Sequence, residues 1–230
     1  MVKNIVQKYE KLGTKTISLI DSLEIIKRYD LPIAKYLVIR EYSDLKLASK
    51  INYPVVLKVS SPFITHKTEI GGVILNIESF NDLVDKYSDL KKKLSEKFDF
   101  KSVFDGFVVQ EMVSDAYEVI IGGLNDEQFG AVVMFGLGGI YVEIFKDVVF
   151  ELAPVSRMEA LEMIRRIKGY ELLKGYRGKK GINMEYLSEV IHKVSVMFSE
   201  LSCYFKEMDL NPVFVSSEFV KIVDARFTLL

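Results

Sequence analysis

The stretch VVLKVSSPFITHKTEIGGV, from Val55 to Val73, carries most of the information about the fold. It opens as a strongly apolar strand with Lys58 in its middle, and it continues into a loop that holds His66, one of two histidines in the sequence. A buried ammonium group is retained only beside an anionic partner, so an interior strand would imply such a partner for Lys58. An edge strand with Lys58 pointing into water explains the same residues, and the sequence leaves both interpretations open.

The loop after this strand combines His66 with the glycine pair Gly71 and Gly72. Glycines at this place allow a close backbone approach to a ligand or a hinge-like movement. A lone loop histidine is more often a solvated side chain than a catalytic one, and glycine pairs are common in hairpins. The loop therefore becomes evidence for chemistry only together with other parts of the chain.

Composition favours a folded protein without a nucleic-acid or membrane partner. The 230 residues include 31 Lys and Arg against 32 Asp and Glu, which provides no basic field for nucleic acid and no polybasic anchor for a membrane. Cys203 is the single cysteine, so we expect no internal disulfide and no zinc site, and the N-terminus lacks an apolar signal core. No apolar run approaches the roughly 20 residues of a membrane-spanning helix, and we expect a cytoplasmic protein.

The order of the predicted elements favours an α+β fold with a largely antiparallel sheet and helices packed on it. Helical periodicity and capping residues predict helices over 15–29, 43–50, 80–98, 156–168 and 184–201, the second of them capped by Ser43. Runs rich in Val, Ile and Phe predict strands at 36–39, 55–59, 73–77, 107–111, 117–123 and 130–135. The polar segment 80–104 is the best candidate for a boundary, which gives subdomains 1–104 and 105–230.

The C-terminal sequence MDLNPVFVSSEFVKIVDARF predicts a β-hairpin. If Val215 faces Val220 across the turn, the same register brings Asn211 opposite Asp224. Amide and carboxylate oxygens, without histidine or cysteine beside them, suit Mg²⁺. Asp209 lies two residues before the asparagine and leans to the same face. A polar hairpin end with Asx-type turn bonding explains the same residues, and a one-residue slip would separate the pair.

Two glutamates lie among apolar residues in GFVVQEMVSDAYEVIIGG: Glu111 ends one predicted strand and Glu118 lies within the next. The backbone from Gln110 to Val113 is suited to hydrogen-bond an adenine ring, and a carboxylate there is suited to hold a ribose hydroxyl or to assist a metal. The glycine-rich segment FGLGGIYVE, residues 135–143, lacks both G-x-G-x-x-G and G-x-x-x-x-G-K-[ST], which argues against a Rossmann site and a P-loop.

Taken in order, these motifs resemble the ATP-grasp subunit of ADP-forming acyl-CoA synthetases, the archaeal acetate–CoA ligases related to succinyl-CoA synthetase. The resemblance covers the chain from about Ser18 onward and rests on INYPVVLKV, THKTEIGGVILNI, VVQEMVSDAYEVIIGG, VVMFGLGGIYVEIFKDVVFELAPV, LLKGYRG, DLNPVFV and VDARF. It implies an ATP-grasp fold of two subdomains with the nucleotide bound between them. The residues after LLKGYRG lack the family's usual proline and aspartate, and we assign no chemistry to Arg177.

The resemblance also implies a role for each site residue. The implied nucleotide-binding residues are Lys58, Gly71, Gly72, Glu111, Met112, Val113 and Glu118. Asn211 and Asp224 match the family's ligands for Mg²⁺, and His66 matches its second phosphohistidine. Asp209 matches the acid that steadies a phosphorylated histidine near the nucleotide, and it is one methylene shorter than the glutamate of the succinyl-CoA relatives.

The implied reaction interconverts acyl-CoA, ADP and phosphate with a carboxylate, ATP and CoA, and a phosphohistidine carries the phosphoryl group between distant sites. Neutral imidazole is a competent nucleophile near neutral pH. The chain has no recognisable CoA-binding Rossmann domain, so we expect a CoA-binding alpha subunit as partner, in an α2β2 assembly in which the partner holds CoA and a small carboxylic acid. Two alternatives stay open. One is an ATP-grasp ligase that uses a plain acyl phosphate, with His66 only a phosphate contact, and the other is a nucleotide-sensing or scaffolding subunit without catalysis.

Overall fold

The structure is a computed structural model that describes residues 1–64, 66–139, 146–176, 178 and 180–230. Contacts divide the chain into two compact units. The first comprises Met1, Lys3–Ser22 and Ala34–Met112, and the second comprises Val2, Leu23–Ile33 and Val113–Leu230. The subdomain ranges 1–104 and 105–230 stay a prediction. Within the described ranges, no helix is long and apolar enough to cross a bilayer.

The first unit is built on a four-stranded antiparallel sheet. Its strands are β1 (Tyr36–Ile39), β2 (Val55–Ser60), β3 (Val73–Ile77) and β4 (Gly106–Glu111). Its helical segments are α1 (Val2–Leu12), the start of α2 (Leu19–Lys27), a 3-10 helix (Tyr42–Lys50), α3 (Phe80–Lys97) and α4 (Phe100–Val103). The strand order is β1–β4–β2–β3, so β2 is an interior strand with a neighbour on each side.

Helix α3 covers one face of this sheet. Leu57 of β2, Phe107 of β4 and Tyr87 of α3 belong to one hydrophobic cluster, and all three are almost fully buried. The rings of Tyr87 and Phe107 meet edge to face with centroids 4.8 Å apart, a favourable aromatic geometry. Because successive strand residues point to opposite faces, Lys58 projects from the face that α3 does not cover.

The second unit is built on a second antiparallel sheet. Its strands are β5 (Tyr117–Asp126), β6 (Gly130–Leu137), β7 (Val148–Leu152), β8 (Phe205–Val215), β9 (Val220–Ile222) and β10 (Arg226–Leu229). Its helices, besides the end of α2, are α5 (Arg157–Arg166), α6 (Tyr170–Leu173) and α7 (Met184–Leu201). The strand order is β10–β8–β5–β6–β7, and β9 pairs with β8.

Two adjacent glycines of β5 show how the two faces of the second sheet differ. A Cβ atom on Gly123 would lie 2.6 Å from the ring of Phe198, so α7 packs directly on the backbone there. A Cβ atom on Gly122, which points to the opposite face, would meet the flexible end of Met134 at 2.9 Å. One face of the sheet is therefore filled by a helix, and the other carries polar residues of β8 and β10.

The predicted strands are present, most of them with the predicted core and longer ends, whereas α1 and β7 were not predicted from the sequence. The helix predicted over 15–29 is shorter, Leu19–Lys27. Ser18 explains the later start, because its hydroxyl accepts from the backbone N–H of Asp21 at 3.4 Å and so caps the helix.

The prediction of a helix capped by Ser43 is wrong in the type of helix and in the residue at which it starts. The segment is a 3-10 helix over Tyr42–Lys50, and its N-cap is Glu41. The carboxylate of Asp44 accepts from the backbone N–H of Glu41 at 2.9 Å, which fixes the start of the helix. This bond is also the main reason that the pKa of the Asp44 carboxyl lies below its ordinary value.

Candidate active site

Lys58 is the buried cation of the first unit. It lies on the interior strand β2, it is 7% exposed, and its Nζ donates to Oε1 of Gln110 at 2.8 Å. The interpretation of this segment as an interior strand is therefore correct, and the solvent-facing edge strand is excluded. Gln110, two positions from the residue of β4 that pairs with Lys58, was not predicted as a partner because the sequence does not state the register between the two strands.

The same amide has a second polar atom. Nε2 of Gln110 is buried and has no hydrogen-bond partner among the described residues. A buried donor without an acceptor costs about 1–3 kcal/mol, so such groups are usually satisfied by a ligand or a water molecule. An ammonium group and an unpaired amide N–H on one sheet face form a donor pair that suits a phosphate oxygen.

Glu111 and Met112 are held within the first unit. Oε1 of Glu111 accepts from the backbone N–H of Lys35 at 2.8 Å, and the backbone N–H of Glu111 donates to the carbonyl oxygen of Lys35 at 2.9 Å. The N–H of Met112 donates to the carbonyl oxygen of Pro54 at 3.2 Å. The Glu111 carboxylate therefore stabilises the backbone at the start of β1. The adenine and ribose roles of Glu111, Met112 and Val113 stay predictions.

His66 lies in the connection between β2 and β3 with its side chain 70% exposed. Its Nδ1 is 3.6 Å from Oε1 of Glu69, one turn later in the loop. The backbone N–H of Glu69 donates to the carbonyl oxygen of His66 at 3.2 Å, so the two residues share a turn. An exposed imidazole with a carboxylate at one ring nitrogen keeps the other nitrogen accessible to a second reactant.

Different structural features explain why glycine occupies positions 71 and 72 of the loop. Gly71 has φ +70°, a left-handed conformation that favours glycine. A Cβ on Gly72 would lie 2.6 Å from Cγ1 of Val59, and its carbonyl oxygen accepts from the N–H of Val59 at 2.8 Å. The pair therefore shapes the loop and seats it on the end of β2, and a direct contact of either glycine with nucleotide stays a prediction.

The C-terminal hairpin has the predicted register. Val215 pairs with Val220, and the flanking pairs Val213 with Ile222 and Asp209 with Arg226 continue the same register. Asn211 and Asp224 lie between those two pairs, at positions that correspond to each other across the hairpin. The one-residue slip that would separate the amide from the carboxylate does not occur.

Asp209 and Asn211 line one cavity of about 390 Å³ on the face of the second sheet that α7 does not cover. Gly122, Met134 and Arg226 line the same cavity. The predicted orientation of Asp209 to the side of Asn211 is therefore correct. Arg226 was not predicted as a site residue, although it lies in the quoted motif VDARF, because an exposed arginine on a hairpin is common on any protein surface.

Glu118 is exposed on β5, and its carbonyl oxygen accepts from the N–H of Gly138 at 2.8 Å. Gly138 packs so closely that an added Cβ would lie 3.1 Å from Cβ of Glu118. The segment FGLGGIYVE is described only to Gly139, and its residues 140–143 lie outside the described residues, as does Arg177 of LLKGYRG. The predicted place of Glu118 near the nucleotide stays a prediction.

Two further observations concern possible metal ligands and a second cavity. In the part of the chain that the structure describes, no group of three or more His, Cys, Asp and Glu side chains could hold a metal by itself. A larger cavity of about 470 Å³, lined by Tyr117, Lys180 and Phe219 among others, contains none of the predicted site residues. A metal at the hairpin would therefore need ligands from a bound molecule or from water in addition to Asn211 and Asp224.

Comparisons with known proteins agree with this geometry. A model of the ATP-grasp domain family matches residues 8–229. The beta subunit of ADP-forming acetate–CoA ligase I of Pyrococcus furiosus is 41% identical over 212 residues, which cover 91% of this chain and 90% of the relative. The ADP-forming acetate–CoA ligase I of Archaeoglobus fulgidus is 36% identical over 228 residues, which cover 99% of this chain and 33% of that longer protein.

A solved structure adds a ligand-bound relative. It is the dinucleotide forming acetyl-coenzyme A synthetase 1 of Ca. Korarchaeum cryptofilum in complex with coenzyme A and Mg-AMPPCP. The match covers 100% of both chains with a TM-score of 0.85 and 33% sequence identity. In that protein the phosphohistidine segment points towards the nucleotide binding site. The chain described here therefore belongs to the ATP-grasp family, in the group that contains the beta subunits of ADP-forming acetate–CoA ligases.

Proposed function

We propose that this chain is the nucleotide-binding subunit of an ADP-forming acyl-CoA synthetase. The enzyme interconverts acyl-CoA, ADP and phosphate with a carboxylate, ATP and CoA, and His66 carries the phosphoryl group. The observation that carries the proposal is the exposed His66 on a loop that directly follows the strand with buried Lys58. The 41% identity to a ligase beta subunit over 91% of the chain supports it.

In this proposal, Lys58 and Gln110 bind phosphate oxygens of the nucleotide. The ammonium of Lys58 is almost fully buried, so an anion beside it offsets the cost of removing the charge from water. Nε2 of Gln110, which has no partner in the part of the chain that the structure describes, supplies a second donor. Charge-assisted hydrogen bonds of this kind are about twice as strong as neutral ones, and they hold the transferring group in place.

The donor set of the hairpin fits Mg²⁺. Asn211 and Asp224 offer an amide and a carboxylate oxygen at corresponding positions, and Mg²⁺ takes one or two such protein ligands together with phosphates and water. When bound, Mg²⁺ would neutralise charge on the β- and γ-phosphates. The relative from Ca. Korarchaeum cryptofilum was solved with Mg-AMPPCP, which supports the same metal and nucleotide class here.

His66 is the nucleophile of the proposed transfer. A ring nitrogen forms a bond to the γ-phosphorus of ATP, the bond from that phosphorus to the bridging oxygen breaks, and ADP leaves with the electron pair. The remaining ring proton passes to water. Asp209 would steady the phosphorylated imidazole, and the reverse steps regenerate ATP from ADP and the phosphohistidine.

The remaining chemistry would take place on a partner. The Pyrococcus furiosus relative is a beta subunit, and this chain matches only a third of the Archaeoglobus fulgidus ligase. We therefore infer a CoA-binding alpha subunit that holds CoA and the carboxylic acid, and we expect an α2β2 assembly in the cytoplasm.

Turnover of a His66→Asn variant tests the shuttle. Wild-type and variant chains are assembled with the CoA-binding partner, and ATP formation from acyl-CoA, ADP and phosphate is followed, with Lys67→Gln as the matched control in the same loop. Loss of the nucleophile should reduce turnover on the order of 10³-fold or more, while Lys67→Gln stays close to wild type. Substantial turnover by His66→Asn would instead support a ligase that uses a plain acyl phosphate.

A further inference from the structure

Arg226 stands beside the acid of the proposed phosphoryl-transfer site. Its position on β10 pairs directly with Asp209 on β8, and its Nη2 lies 3.7 Å from Oδ2 of that carboxylate. Both side chains are partly exposed, and both line the cavity on the open face of the second sheet together with Asn211. On the other side of Asp209, β5 presents Gly122, which has no side chain to fill the space.

The charges of this cavity favour Arg226 as the contact of an anionic ligand. The described lining residues include two carboxylates, Glu207 and Asp209, and Arg226 is the one cationic side chain among them. A phosphoryl group that entered without this cation would meet negative charge from the protein. A guanidinium group offers five N–H donors in a planar fork that matches phosphate oxygens.

The distance to Asp209 leaves this fork available. At 3.7 Å the contact is an ion pair that is longer than a hydrogen bond, so the carboxylate attracts the guanidinium without closing its donor fork. Asn211, the proposed metal ligand, lines the same cavity, and a metal held there would neutralise charge on bound phosphate groups. A γ-phosphate bound beside Asn211 would therefore occupy a cavity that Arg226 also lines.

We propose that Arg226 is a phosphate-binding catalytic residue of this cavity, which binds the γ-phosphoryl group of ATP. Asp209 positions the guanidinium group. The chemical step is the one described above, with a phosphorus–nitrogen bond formed and the bond to the bridging oxygen broken. This inference rests on the proposed function, and it adds a residue that discriminates ATP from ADP.

Binding of two nucleotides tests the inference separately from catalysis. Calorimetry on the chain assembled with its CoA-binding partner compares Mg-ADP with Mg-AMPPNP, which carries a γ-phosphoryl group and is not cleaved. Arg226→Gln should weaken AMPPNP binding by about tenfold or more and change ADP binding by less than about threefold. Arg226→Lys keeps the positive charge but lacks the planar set of donors. Its affinity for AMPPNP should lie between those of wild type and Arg226→Gln. Lys206→Gln removes a positive charge from an exposed position of β8 that does not line the cavity, and it should bind both nucleotides like wild type.

A purely structural Arg226 predicts a different pattern. If the residue only pairs with Asp209 across the strands, Arg226→Gln weakens the binding of both nucleotides equally or leaves both affinities unchanged. Either result overturns the inference. Phosphorylation of His66 after the same proteins are mixed with Mg-ATP tests the proposed function by itself. If Arg226→Gln selectively loses affinity for AMPPNP but wild type forms no phosphohistidine, the role of Arg226 stands and the shuttle through His66 is refuted. If wild-type protein binds neither nucleotide, both the role of Arg226 and the proposed function are refuted.

Discussion

Lys58 shows how much a single residue can reveal from sequence and where that information ends. The apolar run around it predicted a strand, and its charge predicted an anion if the strand were interior. Whether the strand is interior depends on which strands pair with it, and pairing with β3 and β4 is a property of the whole sheet. Gln110 was missed for the same reason, because its contact with Lys58 bridges 52 positions of sequence.

Replacing Gln110 by Leu should destabilise the protein by about 1–3 kcal/mol, because the change removes a buried acceptor from the Lys58 ammonium. The double variant Lys58→Met with Gln110→Leu removes both polar groups and should recover most of that free energy of unfolding. Denaturant unfolding of the two variants and of wild type measures the difference. Both variants should bind nucleotide weakly.

The contrary result is also specific. A double variant that is as unstable as Gln110→Leu would mean that the apolar replacements do not pack in this part of β2 and β4. A double variant that still binds Mg-ATP with wild-type affinity would remove Lys58 from the phosphate site.

At the scale of elements, α5 begins with a capping box that was not predicted from the sequence. A helix over 156–168 was predicted, and the structure places Ser156 as N-cap, with its hydroxyl accepting from the N–H of Glu159 at 3.2 Å. The Glu159 carboxylate accepts from the N–H of Ser156 at 2.7 Å, and this backbone bond is the main reason that the pKa of Glu159 lies below its ordinary value.

Ser156→Ala should cost about 0.5–2 kcal/mol of unfolding free energy at neutral pH through loss of the cap. Glu159→Gln isolates the charge. Because the pKa of Glu159 is lowered in the folded state, its stabilising effect is present above the ordinary glutamate pKa and is lost as the pH falls through the lowered value. Thermal midpoints of wild type and Glu159→Gln should therefore differ near neutral pH and converge as the pH falls through the lowered pKa of Glu159. A constant difference over this range would show that the charge plays no part.

The contact between β5 and α7 gives a second prediction at this scale. Gly123→Ala should destabilise the protein by about 1–3 kcal/mol, because the new methyl group meets the rigid ring of Phe198. Gly122→Ala is the matched control, since the one close contact of its methyl group is with the movable end of Met134, and it should cost less than about 1 kcal/mol. Urea unfolding compares them, and equal losses would contradict the packing argument.

Some features of the elements could not be read from sequence. Apolar runs defined the strands well, because β-branched and aromatic residues mark buried pleated segments. The 3-10 helix start at Glu41 depends on a hydrogen bond from its N–H to the Asp44 carboxylate, and Ser43 offered an equally good cap in the sequence. In contrast, the hairpin register that sets Asn211 across from Asp224 was predicted correctly, since a tight turn leaves few alternative pairings.

At the scale of the whole molecule, the order of motifs identified the family more firmly than any motif alone. The family match over residues 8–229 agrees with the predicted α+β, ATP-grasp fold. The candidate site was predicted less completely, because Gln110 and Arg226 acquire meaning only from their neighbours in space. This chain matches 33% of the longer Archaeoglobus fulgidus ligase, so the proposed function is tested best in an assembly with the proposed partner.

The most direct test of the phosphoryl shuttle is intact-mass and phosphopeptide analysis after mixing the chain with Mg-ATP, with and without the CoA-binding partner. The account predicts an acid-labile, base-stable phosphate on His66 that is absent from His66→Ala. Nucleotide binding without any phosphate on His66, even with the partner present, would contradict it and would favour a ligase that uses a plain acyl phosphate.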